Sequence, residues 1–170
     1  GTLVLRLLIE GLYEGNGRMV AAADPLTDTL HSDTVNVQLA HASFPNAQAF
    51  STLALLSRDG RCTLTIPSQL VGGNYYIVIR HRNALETWSA VTVSPIAGAI
   101  YYDFTDAAGR AYGNNLKATG DGRFSLYSGD VNQDGTIDLT DMAEFETRSG
   151  SGQTGYVPCD VNGEDRKSTR

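Results

Sequence analysis

From residue 2 to about 127 the chain reads as short β-like runs separated by turn residues, and two of the runs alternate apolar and polar residues with a period of two, the pattern of half-buried strands. Leu3, Leu5, Leu7 and Ile9 alternate with Val4, Arg6, Leu8 and Glu10. In the run Thr34 to Leu39, Val35, Val37 and Leu39 share one face and Thr34, Asn36 and Gln38 the other. Similar runs occupy residues 50–56, 62–66, 75–80, 86–93, 100–104 and 124–127. Turn residues separate them at Asp59-Gly60, Gly72-Gly73 and Asp121-Gly122. Asp-Gly between two apolar runs predicts a hairpin. Regularly spaced short runs with almost no helical period predict a mainly β fold, an Ig-like antiparallel β-sandwich over residues 1–128. A closed barrel is the alternative. Trp88, Tyr76 and Phe104 are expected to fill its core.

After Ser128 the pattern changes, and a second segment, residues 129–170, is expected there. Residues 139–148 have a helical period, with Met142 and Phe145 on one face, Asp141 near the positive end and Arg148 near the negative end. Ser149 to Gly152 is expected to stop this helix. Gly150-Ser-Gly-Gln-Thr-Gly155 matches a dinucleotide fingerprint in letters only; it follows a helix instead of a strand and reads as a connector.

Composition adds two constraints. Apolar residues make up 41% of the chain, with 18 glycines and 5 prolines, which suits a folded, turn-rich chain. No apolar run approaches the roughly 20 residues of a membrane span, and Leu3 to Ile9 carries Arg6, so it is not a signal peptide. A chain beginning at Gly1 is expected of a processed or excised segment.

The net charge of −6 is uneven: residues 1–129 carry −1, whereas residues 130–165 carry −8 with Arg148 as their one base. Without a basic stripe, a nucleic-acid partner is not expected. So much negative charge in a short stretch calls for a cation.

The sequence Asp130-Val-Asn-Gln-Asp-Gly-Thr-Ile-Asp-Leu-Thr-Asp141 spaces its oxygens to supply one. Asp130, Asn132, Asp134, Asp138 and Asp141 offer side-chain oxygens at positions 1, 3, 5, 9 and 12, and Thr136 at position 7 would offer its carbonyl. Gly135 permits the sharp turn and Ile137 pins the loop. Calcium takes six to eight oxygens at about 2.3–2.6 Å, whereas magnesium demands a tighter octahedron, so calcium is the expected ion. The bland alternative is a solvated acidic turn.

Asp141 in place of a longer Glu, and a strand-like approach in place of an entering helix, resemble the type I dockerin repeat. Residues 129–142 resemble its first half. A second half starts at Asp160-Val-Asn162-Gly and continues with Glu164, but Asp165 stands where glycine is required and the chain ends before position 12. Asp160, Asn162 and Glu164 are therefore an incomplete second site.

The body is similar to a module of secreted and cell-surface proteins of the Bacteroidetes. The phrases that carry this are Leu8-Ile-Glu-Gly-Leu-Tyr13, Tyr75-Tyr-Ile-Val-Ile-Arg-His-Arg-Asn83, Glu86-Thr-Trp-Ser89, Ala111-Tyr-Gly-Asn-Asn-Leu116 and the junction Leu126 to Gly135. The resemblance implies an extracellular or cell-surface location and calcium binding. Thr29 in Asp28-Thr-Leu and Thr34 in Asp33-Thr-Val resemble O-glycosylation acceptors of that phylum.

Cys62 and Cys159, 97 positions apart, form either one disulfide tying tail to body or two unrelated small hydrophobes. No nucleophile elbow, zinc helix, Walker loop or catalytic Cys/His pair is present, and His31, His41 and His81 are scattered. The expected function is a non-enzymatic extracellular structural or adhesive module that assembles with a protein partner or itself through calcium. One version is a head-to-tail surface fibre, each copy offering its tail or the run Leu3 to Ile9. The alternative is an accessory module of a secreted enzyme, binding a glycan or a cohesin-like partner.

Overall fold

A computed structural model describes residues 1–22, 28–43, 47–150 and 159–163. The strands are β1 (Thr2–Arg6), β2 (Tyr13–Gly15), β3 (Arg18–Met19), β4 (His31–His41), β5 (Gln48–Ser57), β6 (Arg61–Thr65), β7 (Tyr75–His81), β8 (Ala84–Trp88), β9 (Ala99–Asp103), β10 (Lys117–Ala118) and β11 (Phe124–Ser125). Among the described residues α1 (Leu139–Gly150) is the one α-helix. The expected connector at 150–155 falls mostly outside the described residues.

Two sheets make the body: β6-β1-β9 and β5-β4-β7-β8. Their inner faces follow the alternation. Leu3 and Leu5 of β1, with Cys62, Leu64 and Tyr102, face Val35, Val37, Leu39, Ile77 and Ile79, all in one buried cluster. Burying each such aliphatic side chain contributes about 1.5–3 kcal/mol, so the pattern of alternation carries most of the information about this core.

Three expectations need correction. First, the sandwich is not wholly antiparallel, because β1 runs parallel to β9, pairing Leu3 with Ile100 and Leu5 with Tyr102. Second, Asp59-Gly60 does not close a hairpin within one sheet: β5 pairs with β4 and β6 with β1, so this turn carries the chain from one sheet to the other. Gly60 has φ 82°, and a Cβ there would lie 2.2 Å from the Leu7 carbonyl oxygen, so only glycine fits the corner. Third, Tyr76 and Trp88 lie outside the core. They sit on the outer side of the larger sheet with ring centroids 6.1 Å apart, while Phe104 is fully buried against Tyr102.

Asp121-Gly122 does close a hairpin, β10 to β11. The run Leu3 to Ile9 is no free arm. β1 is the central strand of its sheet, and Leu3, Leu5, Leu7, Leu8 and Ile9 are fully buried. Within one copy this run already completes its own core, so offering it to another copy would require withdrawing it from there.

Candidate calcium loop and its seat on the body

The loop 130–141 is tied by its own side chains. Asp138 accepts from the Thr140 N–H (2.7 Å), and Asp141 accepts from the Asp138 N–H (2.9 Å), a reciprocal cap that starts α1. The other Asp141 oxygen accepts from the N–H groups of Val131 (2.7 Å) and Asn132 (3.1 Å), so this residue joins the ends of the loop. Asn132 accepts from the Asp134 N–H, and Asp134 from the Thr136 N–H, each at 2.9 Å. Gln133 takes φ 61° and Gly135 φ 87° in the bend between them. Ile137 lies over Gly129, whose φ of 123° would strain any residue with a side chain.

Asp130 and Asp141 are buried; Asn132, Asp134, Thr136 and Asp138 are exposed. Asp130 Oδ2 accepts from the Gly135 N–H (3.2 Å), but Oδ1 is buried without a hydrogen-bond partner. Burial raises the Asp130 carboxyl above the usual range, and the neighbouring charges of Asp141 and Asp134 push the same way. The Thr140 hydroxyl and amide hold Asp138 below the usual range. Among the described residues no group of three or more His, Cys, Asp or Glu is gathered closely enough to hold a metal ion. The loop offers a mixed set of carboxylate and amide oxygens, the hard-donor chemistry that calcium accepts, and the orphaned Asp130 oxygen fits such an ion.

The loop is seated on the turn between β7 and β8. The Gly129 N–H donates to the Asn83 carbonyl (2.7 Å), Gln133 Nε2 reaches the Ala84 carbonyl (3.4 Å), and Val131 is buried. Residues 159–163 return to the same turn. Arg82 Nη1 and Asn83 Nδ2 donate to the Asp160 carbonyl at 2.9 and 3.1 Å. Val161 lies against Gly11, and Gly163 against Ala22, each too close for a side chain on the glycine.

Arg82 also donates through Nε and Nη2 to Asp33 Oδ2 (3.2 and 3.0 Å), and His81 Nε2 stands 3.1 Å from that oxygen. The side chains of Asp33 and His81 are fully buried. This ionic clasp was not expected. Its local signal is the polar phrase Arg80-His-Arg-Asn83 after an apolar strand, but the partners Asp33 and Asp160 lie too far along the chain to be inferred from it.

The remaining candidates are scattered. The Asp160 carboxylate lies 3.9 Å from Arg82, Asn162 is exposed, and Glu164 falls outside the described residues. Thr29 is exposed, whereas Thr34 is half-buried within β4, opposite Leu55. The disulfide does not form: Cys62 and Cys159 are free thiols. Cys62 faces the core from β6 across from Leu5, and burial pushes its thiol up to about 11.

No protein family and no curated protein matches the sequence. A solved structure does share the fold. A chain in the crystal structure of an N-terminal interface mutant of a type II cohesin–X-dockerin complex from Acetivibrio cellulolyticus is similar with TM-score 0.53 and 15% identity, over 98% of this chain and 86% of that one. A chain from the C-terminal interface mutant of that complex gives TM-score 0.44 at 14% identity, over 85% of this chain and 70% of the other. At such identities the likeness is one of fold. The class defined is a mainly β sandwich with one helix among the described residues. No helix among the described residues is long and apolar enough to cross a membrane.

Proposed function

We propose that this chain is a non-enzymatic extracellular module for protein–protein assembly, and that its loop 130–141 takes a calcium ion which fixes the tail for that role. The carrying observation is Asp130 Oδ1, a buried carboxylate oxygen with no hydrogen-bond partner inside a loop of oxygen-bearing residues. An uncompensated buried oxygen is costly, and a cation relieves that cost. Asp130, Asn132, Asp134, Asp138 and Asp141 would supply side-chain oxygens, and Thr136 its carbonyl. Asp160, Asn162 and Glu164 remain the candidates for a second, weaker half-site.

The partner is a protein or a second copy. Likeness in fold to a chain of a cohesin–X-dockerin complex supports an assembly role. So does the apolar side of α1, where Leu139 and Met142 are exposed. In the self-assembly version the calcium-loaded tail of one copy meets the body of the next, an open contact that builds a fibre.

Sedimentation velocity over a range of protein concentrations, in calcium and in chelator, tests the self-assembly version. Species larger than the monomer are expected in calcium and absent in chelator. A monomer at every concentration in both conditions would refute it.

A further inference from the structure

The outer side of the smaller sheet is built from three rows set by its register. Thr65, Thr2 and Ala99 form one, Thr63, Val4 and Tyr101 the next, and Arg61, Arg6 and Asp103 the third. Short side chains make most of the first two rows flat. Tyr101 rises from them 75% exposed, while its neighbour Tyr102 is buried in the core. Beside the ring, Val4, Arg6, Arg61, Tyr101, Asp103 and Arg110 line a cleft of about 280 Å³.

The charges around this cleft are compensated. Arg61 Nε lies 3.0 Å from Asp59 and Arg6 Nη1 3.9 Å from Asp103, while Arg110 holds Asp106 with a two-pronged contact at 2.7 and 2.6 Å. Each guanidinium carries five N–H groups in a fixed fork, more than these contacts use. The cleft thus offers donors and acceptors with little net field. A phosphate or nucleic-acid backbone requires surplus positive charge, which is missing here. A sugar ring requires a flat apolar surface for its C–H face and a rim of donors and acceptors for its hydroxyls, and both are present.

We propose that this face is a saccharide-binding site, with Tyr101 as the stacking platform, the row Arg61, Arg6 and Asp103 as the hydroxyl-binding rim, and a neutral polysaccharide as the ligand. The site is separate from the calcium loop and works without the ion.

Affinity electrophoresis in gels containing soluble β-1,4-glucan, β-1,3-glucan, xylan or galactomannan, with polygalacturonate as the charged comparison, tests this. Tyr101→Ala is the site variant. Tyr112→Ala, which removes another exposed ring outside the cleft, is the control. At least one neutral polysaccharide should retard the wild type and Tyr112→Ala equally, with or without chelator, and Tyr101→Ala should weaken that binding about tenfold or more. Failure of every neutral polysaccharide to bind, preference for polygalacturonate, or undiminished binding by Tyr101→Ala would each overturn the proposal. Tyr101 is exposed, and an unchanged melting temperature shows that the variant folds.

Discussion

Arg82 directs its donors at two parts of the chain that are far apart in sequence. Its Nε and Nη2 reach Asp33 and its Nη1 reaches the Asp160 carbonyl, so one side chain ties the start of β4 to the returning tail. Asp33 has no solvent exposure, and removing its guanidinium partner would take away the cation that faces its buried Oδ2, while Oδ1 keeps the Thr34 N–H. Arg82→Ala is therefore expected to cost about 3–5 kcal/mol. Asp160→Ala should cost less than Arg82→Ala, because Arg82 holds the Asp160 carbonyl, which the substitution keeps. Urea unfolding of both variants checks this; equal losses would contradict the clasp.

The cysteines give a second test at this scale. With its thiol pushed up to about 11, Cys62 is one part in roughly a thousand thiolate at pH 8, and it faces the core. A thiol reagent at pH 8 should label Cys159 in the native protein and reach Cys62 only after denaturant is added. A native protein that labels at neither cysteine and carries the mass of a disulfide would contradict the free thiols.

Within elements, the corner at Gly60 decides how the two sheets connect. Gly60 and Gly72 both have φ above 80°, but a Cβ at Gly60 meets the Leu7 carbonyl at 2.2 Å while one at Gly72 meets nothing. Gly72→Ala should cost about 1 kcal/mol from backbone strain alone, and Gly60→Ala distinctly more. Comparable melting temperatures for the two variants would show that the corner is looser than described.

This contrast also marks what the sequence can show. Alternation identified β1 and β4, where a period of two is the imprint of a buried face, while β5, β6, β7 and β9 showed as short apolar runs bounded by turns. It could not assign sheets: Asp-Gly favours a tight turn whether the next strand returns to the same sheet or crosses to the other. The parallel pairing of β1 with β9 joins residues almost a hundred positions apart, beyond any local signal. The hairpin of β2 and β3 escaped because Glu14-Gly-Asn-Gly17 leaves too short a run on either side. The loop was legible for the opposite reason, since its donors lie within twelve consecutive positions. Even so, the burial of Asp130 and the exposure of Asp134 depend on how the loop is seated against β8, which no spacing reveals.

At the scale of the whole molecule, the tail meets the body at the turn between β7 and β8, with Val161 and Gly163 also packed against Gly11 and Ala22. Gly129 and Gln133 of the loop, and Asp160 from the returning segment, all bind residues 82–84. Order in the loop therefore bears on the seat of both tail segments, and an ion at Asp130 would stabilise them together by binding the folded tail more tightly than the unfolded one. Limited proteolysis should show slower cleavage between residues 129 and 163 in calcium than in chelator; identical cleavage patterns would contradict the coupling.

The acidic tail is the part of the chain most exposed to its own repulsion, at −8 over residues 130–165. Binding of calcium by that tail is the claim on which the assembly reading depends, and calorimetric titration of the metal-stripped protein tests it most directly. The wild type should give a saturable heat with calcium, and Asp130→Ala and Asp134→Ala should lose most of it. No heat in the wild type, or near-equal heats in all three proteins, would contradict the account.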